Sequence, residues 1–133
     1  MSALDKFVAF STEHEVELLK VYKELRRHVH NEELEVIRKY AGDILAYRAF
    51  VCRCLATFNE LLDMATEEHL PLKQSNTTEL DRKAKVEAKV SPVRYWRNFC
   101  KGMVDTIDKR VSYAQSELSF EKEYANRIGA QHG

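Results

Sequence analysis

Glycine and proline are scarce in this chain, four and two among 133 residues, while charged residues make up 32% of it. Few helix breakers with many charges is the composition of long helices with solvated faces. An excess of either charge is also missing, since 21 basic residues balance 21 acidic ones. A dedicated nucleic-acid binder needs a basic surplus for its phosphate contacts, so that class is set aside, although a local basic patch is not. No window approaches the ~20 apolar residues of a membrane span. Residues 1–10 carry Asp5 and Lys6 where a signal peptide needs an apolar run. Three cysteines, Cys52, Cys54 and Cys100, cannot all pair. Together these absences predict a single cytoplasmic domain with reduced thiols.

Chemistry-bearing motifs are missing too. Cys52 and Cys54 stand two residues apart, and on a helix such residues point roughly opposite ways, so they cannot share one metal. They are expected as small buried or half-buried thiols. His28 and His30 have the same spacing. None of His14, His28, His30, His69 and His132 has a glutamate three residues before it, as the Glu-x-x-His of a di-iron bundle requires. No Gly-rich loop or nucleophile elbow is present. The expectation is a protein that is not an enzyme, with no catalytic residue, metal or cofactor.

What the chain does contain is a repeat. At alternating steps of three and four stand Leu34, Ile37, Ala41, Ile44, Arg48, Val51, Leu55, Phe58, Leu62 and Ala65, all apolar except Arg48. That is a heptad seam, the mark of a helix lying along another at a shallow angle. A second run follows, Val104, Ile107, Val111, Ala114, Leu118, Glu121, Ala125 and Ile128, polar only at Glu121. Tyr95, Trp96, Phe99, Tyr113, Phe120 and Tyr124 widen its face. One loop joins the two seams, so they should fold back as an antiparallel, coiled-coil-like hairpin of long kinked helices, an all-α fold. Arg48 reads either as an edge residue with its head in water or as the partner of Glu121, at a comparable distance from the turn. Leu45, Tyr47, Phe50 and Leu61 lie off the seam. Dimerisation with a like or unlike chain, or docking to a partner helix, would bury them.

The boundaries follow from caps and breakers. Residues 1–11 form a lead-in with Leu4, Phe7, Val8 and Phe10 to bury. Thr12 to Glu15 fits a capping box, opening a helix over 12–30. The chain either restarts at Asn31, a good cap, or runs on, and the seam jumps between Leu25 and Leu34. The long helix covers 31–69 and ends ahead of Pro71. Residues 70–78 form the loop. Thr78 to Asp81 is a second capping box, opening a short helix over 79–90. Ser91-Pro92 reads as a cap with proline in the first helical position, so a last helix covers 92–128 and stops at Gly129.

Basic residues cluster at the hairpin turn: Lys73, Arg82, Lys83, Lys85 and Lys89. The plain reading of such a run is a solvated helix face. The sharper reading is a tip that meets an anionic membrane, where each exposed cation contributes about 1 kcal/mol and duplication in a dimer strengthens the contact.

Tyr40-Ala41-Gly42-Asp43-Ile44-Leu45-Ala46-Tyr47-Arg48-Ala49-Phe50-Val51 resembles the second BAR helix of sorting nexins, where a Tyr is followed by an Ala, an aliphatic and an Arg in a long seam. The spacing from Trp96 to Phe120-Glu121-Lys122-Glu123 resembles their third helix. Residues 120–128 also resemble the early helix of F-BAR domains, the second choice. The departure is length, 133 residues being short for a whole BAR domain, which leaves a fragment and a divergent relative as alternatives. The resemblance implies a dimerising scaffold, peripheral on phosphoinositide-bearing endosomal or vesicle membranes, that touches lipid through the basic tip. The alternative is a helical protein-protein adaptor of the cytoskeleton or a vesicle coat that binds no lipid.

Overall fold

The computed structural model describes residues 1–27, 32–71 and 78–132, the side chains of residues 131 and 132 excepted. Three helices carry the fold: α1 Ala3–Leu25, α2 Leu34–His69 and α3 Glu79–His132. No strand occurs among the described residues. The architecture is all-α, a hairpin of α2 and α3 with α1 packed on both.

α1 begins at Ala3, not near Thr12. Ser2 supplies the capping box: its hydroxyl accepts from the Asp5 backbone N–H at 3.1 Å, and its own N–H donates to the Asp5 carboxylate at 3.3 Å. Both stretches fit the hydroxyl-x-x-acid pattern, and burial decides between them. Ala3 and Phe7 are buried, and the Ala3 N–H donates to the Glu68 carboxylate at 3.1 Å. That bond sets the start of α1 beside the end of α2, so the two run antiparallel. α1 stops at Leu25, short of residue 30. The proposed cap Asn31, with His28 and His30, lies outside the described residues. α2 starts at Leu34 with no side-chain cap and ends at His69, with Leu70 extended ahead of Pro71 as a residue before proline should be. Thr78 caps α3, its hydroxyl accepting from Asp81 N–H at 3.1 Å.

The expected division at Ser91 is absent. α3 is one helix that continues through Pro92 and past Gly129. Proline removes the bond to the Ala88 carbonyl and crowds that turn, a cost of about 3 kcal/mol. Ala88, Ser91 and Pro92 are exposed, so the freed carbonyl faces water, whereas Val90 and Val93 are fully buried. Burying two valines at ~1.5–3 kcal/mol each offsets that cost only if both stay on one continuous face.

Two contacts fix the register of the hairpin. Arg48 meets Asp108, and the rings of Phe58 and Trp96 stack at 6.0 Å. Level residues on the two helices therefore have numbers that add to about 155, as 48 with 108 and 58 with 96 show. By this register Ile37 is level with Leu118, Ile44 with Val111, Val51 with Val104, Leu55 with Cys100 and Leu62 with Val93. The second seam meets the first only from Val104 to Leu118; Leu55 and Leu62 face Cys100 and Val93 ahead of it, and Glu121, Ala125 and Ile128 are exposed, while each residue of the five level pairs is buried or half-buried. Glu121 lies two heptads beyond Ile107, the residue level with Arg48. The Arg48–Glu121 pair does not form; Glu121 is exposed near the start of α2.

α1 covers much of the apolar surface left over from the seam. Leu61 is in the core, and Tyr47 and Phe50 pack against it, with Phe50 meeting the His14 ring at 5.8 Å. Leu45 stays 50% exposed. The centre of the core is Phe58, fully buried, with its ring 6.0 Å from Phe7, 5.2 Å from Phe10 and 6.0 Å from Trp96.

Candidate functional site

The turn was the first candidate. Arg82 is turned inward, with only 14% of its side chain exposed. Its guanidinium donates twice to the Pro71 carbonyl, at 3.1 and 3.0 Å, and once to Glu79 at 2.9 Å. Arg82 thus closes the hairpin by tying the end of α2 to the first turn of α3. Lys83, Lys85 and Lys89 are exposed, and Lys73 lies outside the described residues. On a helix Lys85 and Lys89 share a face while Lys83 points away from them. Glu79, Asp81 and Glu87 stand among them, so the described cations do not form one uninterrupted patch.

The far end is different in kind. α1 ends level with Arg110, which donates to the Arg27 carbonyl at 3.1 Å. By the hairpin register α2 begins level with residue 121. Residues 122–132 of α3 therefore run past both, roughly 16 Å at 1.5 Å per residue. Phe120, Tyr124 and Ile128, at helical steps of four, remain 64%, 57% and 38% exposed. Half-buried Leu118 adjoins them.

A groove opens where α1 meets the middle of α3, with a volume of about 460 Å³. Tyr22 and Leu25 form one wall, Phe99 and Met103 the other, with Arg26 and Arg110 at its border and Gly102 in its side. Gly102 sits inside a helix, where glycine costs about 1 kcal/mol relative to alanine. A Cβ there would meet nothing within 4 Å, so close helix packing is not its reason. At the end of the groove, side chains from two helices cap the last carbonyls of α1. The Tyr40 hydroxyl donates to Glu24 O at 3.0 Å, and Arg110 takes Arg27 O. Arg27 lies over the Tyr40 ring at 5.6 Å. Burial pushes the Tyr40 hydroxyl pKa up, opposed by Arg110 and Arg27.

No protein family, curated protein or solved structure matches this chain. Its chemistry is carried by its own residues. Among those described, no group of three or more His, Cys, Asp and Glu is placed to hold a metal, and no helix is long and apolar enough to cross a membrane.

Arg48, the flaw in the seam, forms a two-pronged pair with Asp108 at 2.7 and 3.2 Å. Hydrogen bonding from Arg48 holds the Asp108 carboxyl below its ordinary value. Both side chains are about half exposed, so the pair marks register more than it stabilises. Sequence reasoning named Arg48 but missed Asp108, Arg110 and Gly102. The signal for Asp108 was present as a carboxylate next to the seam residue Ile107.

The thiols are as expected: Cys54 and Cys100 are buried and Cys52 half-buried, all free. Burial pushes Cys54 up to about 11 and Cys100 up to about 12, from an ordinary 9.0. Below pH 9 folded and unfolded chains both hold these protons. Above it the unfolded chain releases them first, so stability falls with rising pH, by up to ~1.4 kcal/mol per unit for each thiol, until the folded thiols ionise as well. Urea melts from pH 8 to 11 should show this alkaline limb, and Cys100→Ala should make it shallower. An unchanged limb would refute the assignment. In the native state only Cys52 should react quickly with a thiol reagent.

Proposed function

We propose that this protein is a dimerising helical scaffold, an adaptor whose α3 end joins a second copy. The observation that carries it is the exposed apolar stripe of Phe120, level with the first turn of α2, and Tyr124 and Ile128, on the part of α3 that runs past α1 and α2. Laid antiparallel about a two-fold axis at Tyr124, Phe120 of one copy meets Ile128 of the other, and Arg127 stands beside Glu123 of the other. Such a pairing is isologous and closed. With three apolar side chains from each copy it should be smaller than the ~1,200–2,000 Å² of a standard interface, so the dimer should be weak, micromolar or looser. Light scattering over a wide concentration range tests it. The full chain should pass from monomer to dimer, and Phe120→Asp with Tyr124→Asp should leave a folded monomer. A wild-type chain that stays monomeric at the highest concentrations overturns the reading.

Lipid binding at the turn is the second reading, favoured by the exposure of Lys83, Lys85 and Lys89. It is weakened by the engagement of Arg82 with Pro71 and by the acids interleaved there. Co-sedimentation with acidic vesicles separates the two. Salt-sensitive binding that disappears when these three lysines are reversed would favour the membrane scaffold over the adaptor.

A further inference from the structure

We infer that the groove between α1 and α3 is a binding site for a small amphipathic anion, an aliphatic or aromatic body bearing one carboxylate. The site is separate from the α3 end and does not depend on dimerisation. Its volume of about 460 Å³ lies within the roughly 300–1,000 Å³ of small-molecule sites. The walls are apolar, from Leu25, Phe99 and Met103, with the Tyr22 ring beside them.

Charge sets the class of ligand. Arg26 and Arg110 are the charged residues of the lining, and no carboxylate is among them. Neither arginine is in an ion pair with a described acid. Arg26 lies over the Tyr22 ring at 5.8 Å, at the rim. The Arg110 Nε is buried with no hydrogen-bond partner, and the rest of its guanidinium meets only neutral groups, the Arg27 carbonyl and the Tyr40 hydroxyl, so its charge is not neutralised by a carboxylate. The nearby C-terminus of α1 contributes roughly half a negative charge, which two full positive charges outweigh. A neutral ligand would leave this field unanswered, and a cation would be repelled.

Gly102 supplies the space. Any side chain at 102 would stand in the groove, and the glycine has no packing reason to be there. Thr106 satisfies its hydroxyl on the Gly102 carbonyl at 2.9 Å, which leaves Asn98, the Tyr22 hydroxyl and the arginines as the other polar side-chain groups of the lining.

Decanoate and its neutral counterpart decanol are suitable probes. The ¹⁵N-labelled full chain is titrated with each, below micelle formation, and the amide signals of Gly102, Thr106 and Arg26 are followed. Decanoate should give saturating shifts confined to the groove, with decanol roughly tenfold weaker, the value of one favourable charge contact. Gly102→Leu fills the groove while improving helix propensity, so it should keep or raise the melting temperature and abolish the shifts. Arg26→Gln should bring decanoate down to the level of decanol. Equal affinity for the two probes, shifts that survive Gly102→Leu in a folded protein, or shifts centred on Phe120 and Tyr124 would each overturn the inference.

Discussion

Replacing Phe58 with alanine should cost about 3–5 kcal/mol, the range for removing a large aromatic from a packed core. Phe58 is on α2, yet its ring reaches Phe7 and Phe10 of α1 and Trp96 of α3. No other aromatic among those described joins all three helices in this way. Its loss removes buried area and also leaves a cavity that three helices would have to close together. Domains of this size have only about 5–15 kcal/mol in all, so the melting temperature should fall by about 10–20 °C. The first half of α1 should loosen first, because Phe7 and Phe10 anchor it on Phe58. Leu45→Ala, on the exposed side of the same helix, serves as a control and should cost less than about 0.5 kcal/mol. Equal losses for the two variants in urea melts would refute Phe58 as the centre of the core.

Pro92→Ala should act in the opposite direction and stabilise the protein. Inside a helix proline costs about 3 kcal/mol relative to alanine. Alanine restores the bond from residue 92 to the Ala88 carbonyl without disturbing Val90 or Val93, which face the other way. Part of the gain is lost because proline also restricts the unfolded chain, by about 0.4–1 kcal/mol. The net expectation is about 2 kcal/mol, or roughly 6 °C in melting temperature. Thermal unfolding of the two proteins side by side decides it. A destabilised variant would mean that a bend at Pro92 is what seats Val90 and Val93 against α2.

These two residues also show what could be read from the chain. The apolar spacing of α2 named Phe58 and its neighbours as core, and the structure buries or half-buries every seam position from Leu34 to Ala65. Periodicity is a local property and survives inspection of one strand of text. Register is not local. A seam that repeats every seven residues fits its partner almost as well when slid by whole heptads, and the error in pairing Arg48 with Glu121 was two heptads. Only the Arg48–Asp108 contact and the stack of Phe58 on Trp96 choose among these fits. Pro92 misled for a related reason. Ser-Pro is a strong local signal for a helix start, and it was overridden by burial of valines against a helix thirty residues away in sequence. Arg82 looked like a lipid ligand because sequence shows charge but not direction. The resemblance to BAR helices rests on the same heptad spacing, which is common to helices that pack at shallow angles.

The antiparallel register has a mechanical consequence. Ala3 lies beside Glu68 at the turn, whereas α3 ends beyond the start of α2. The two ends of the described fold are thus at opposite poles of a rod. Tension applied between them runs along the helix axes. It loads the contacts of α1 with α2 and α3 in parallel, as shear, instead of opening them one after another like a zipper. Ala3 on Glu68, Phe7 and Phe10 on Phe58, and Tyr22 on Phe99 then act as pins across the sliding direction.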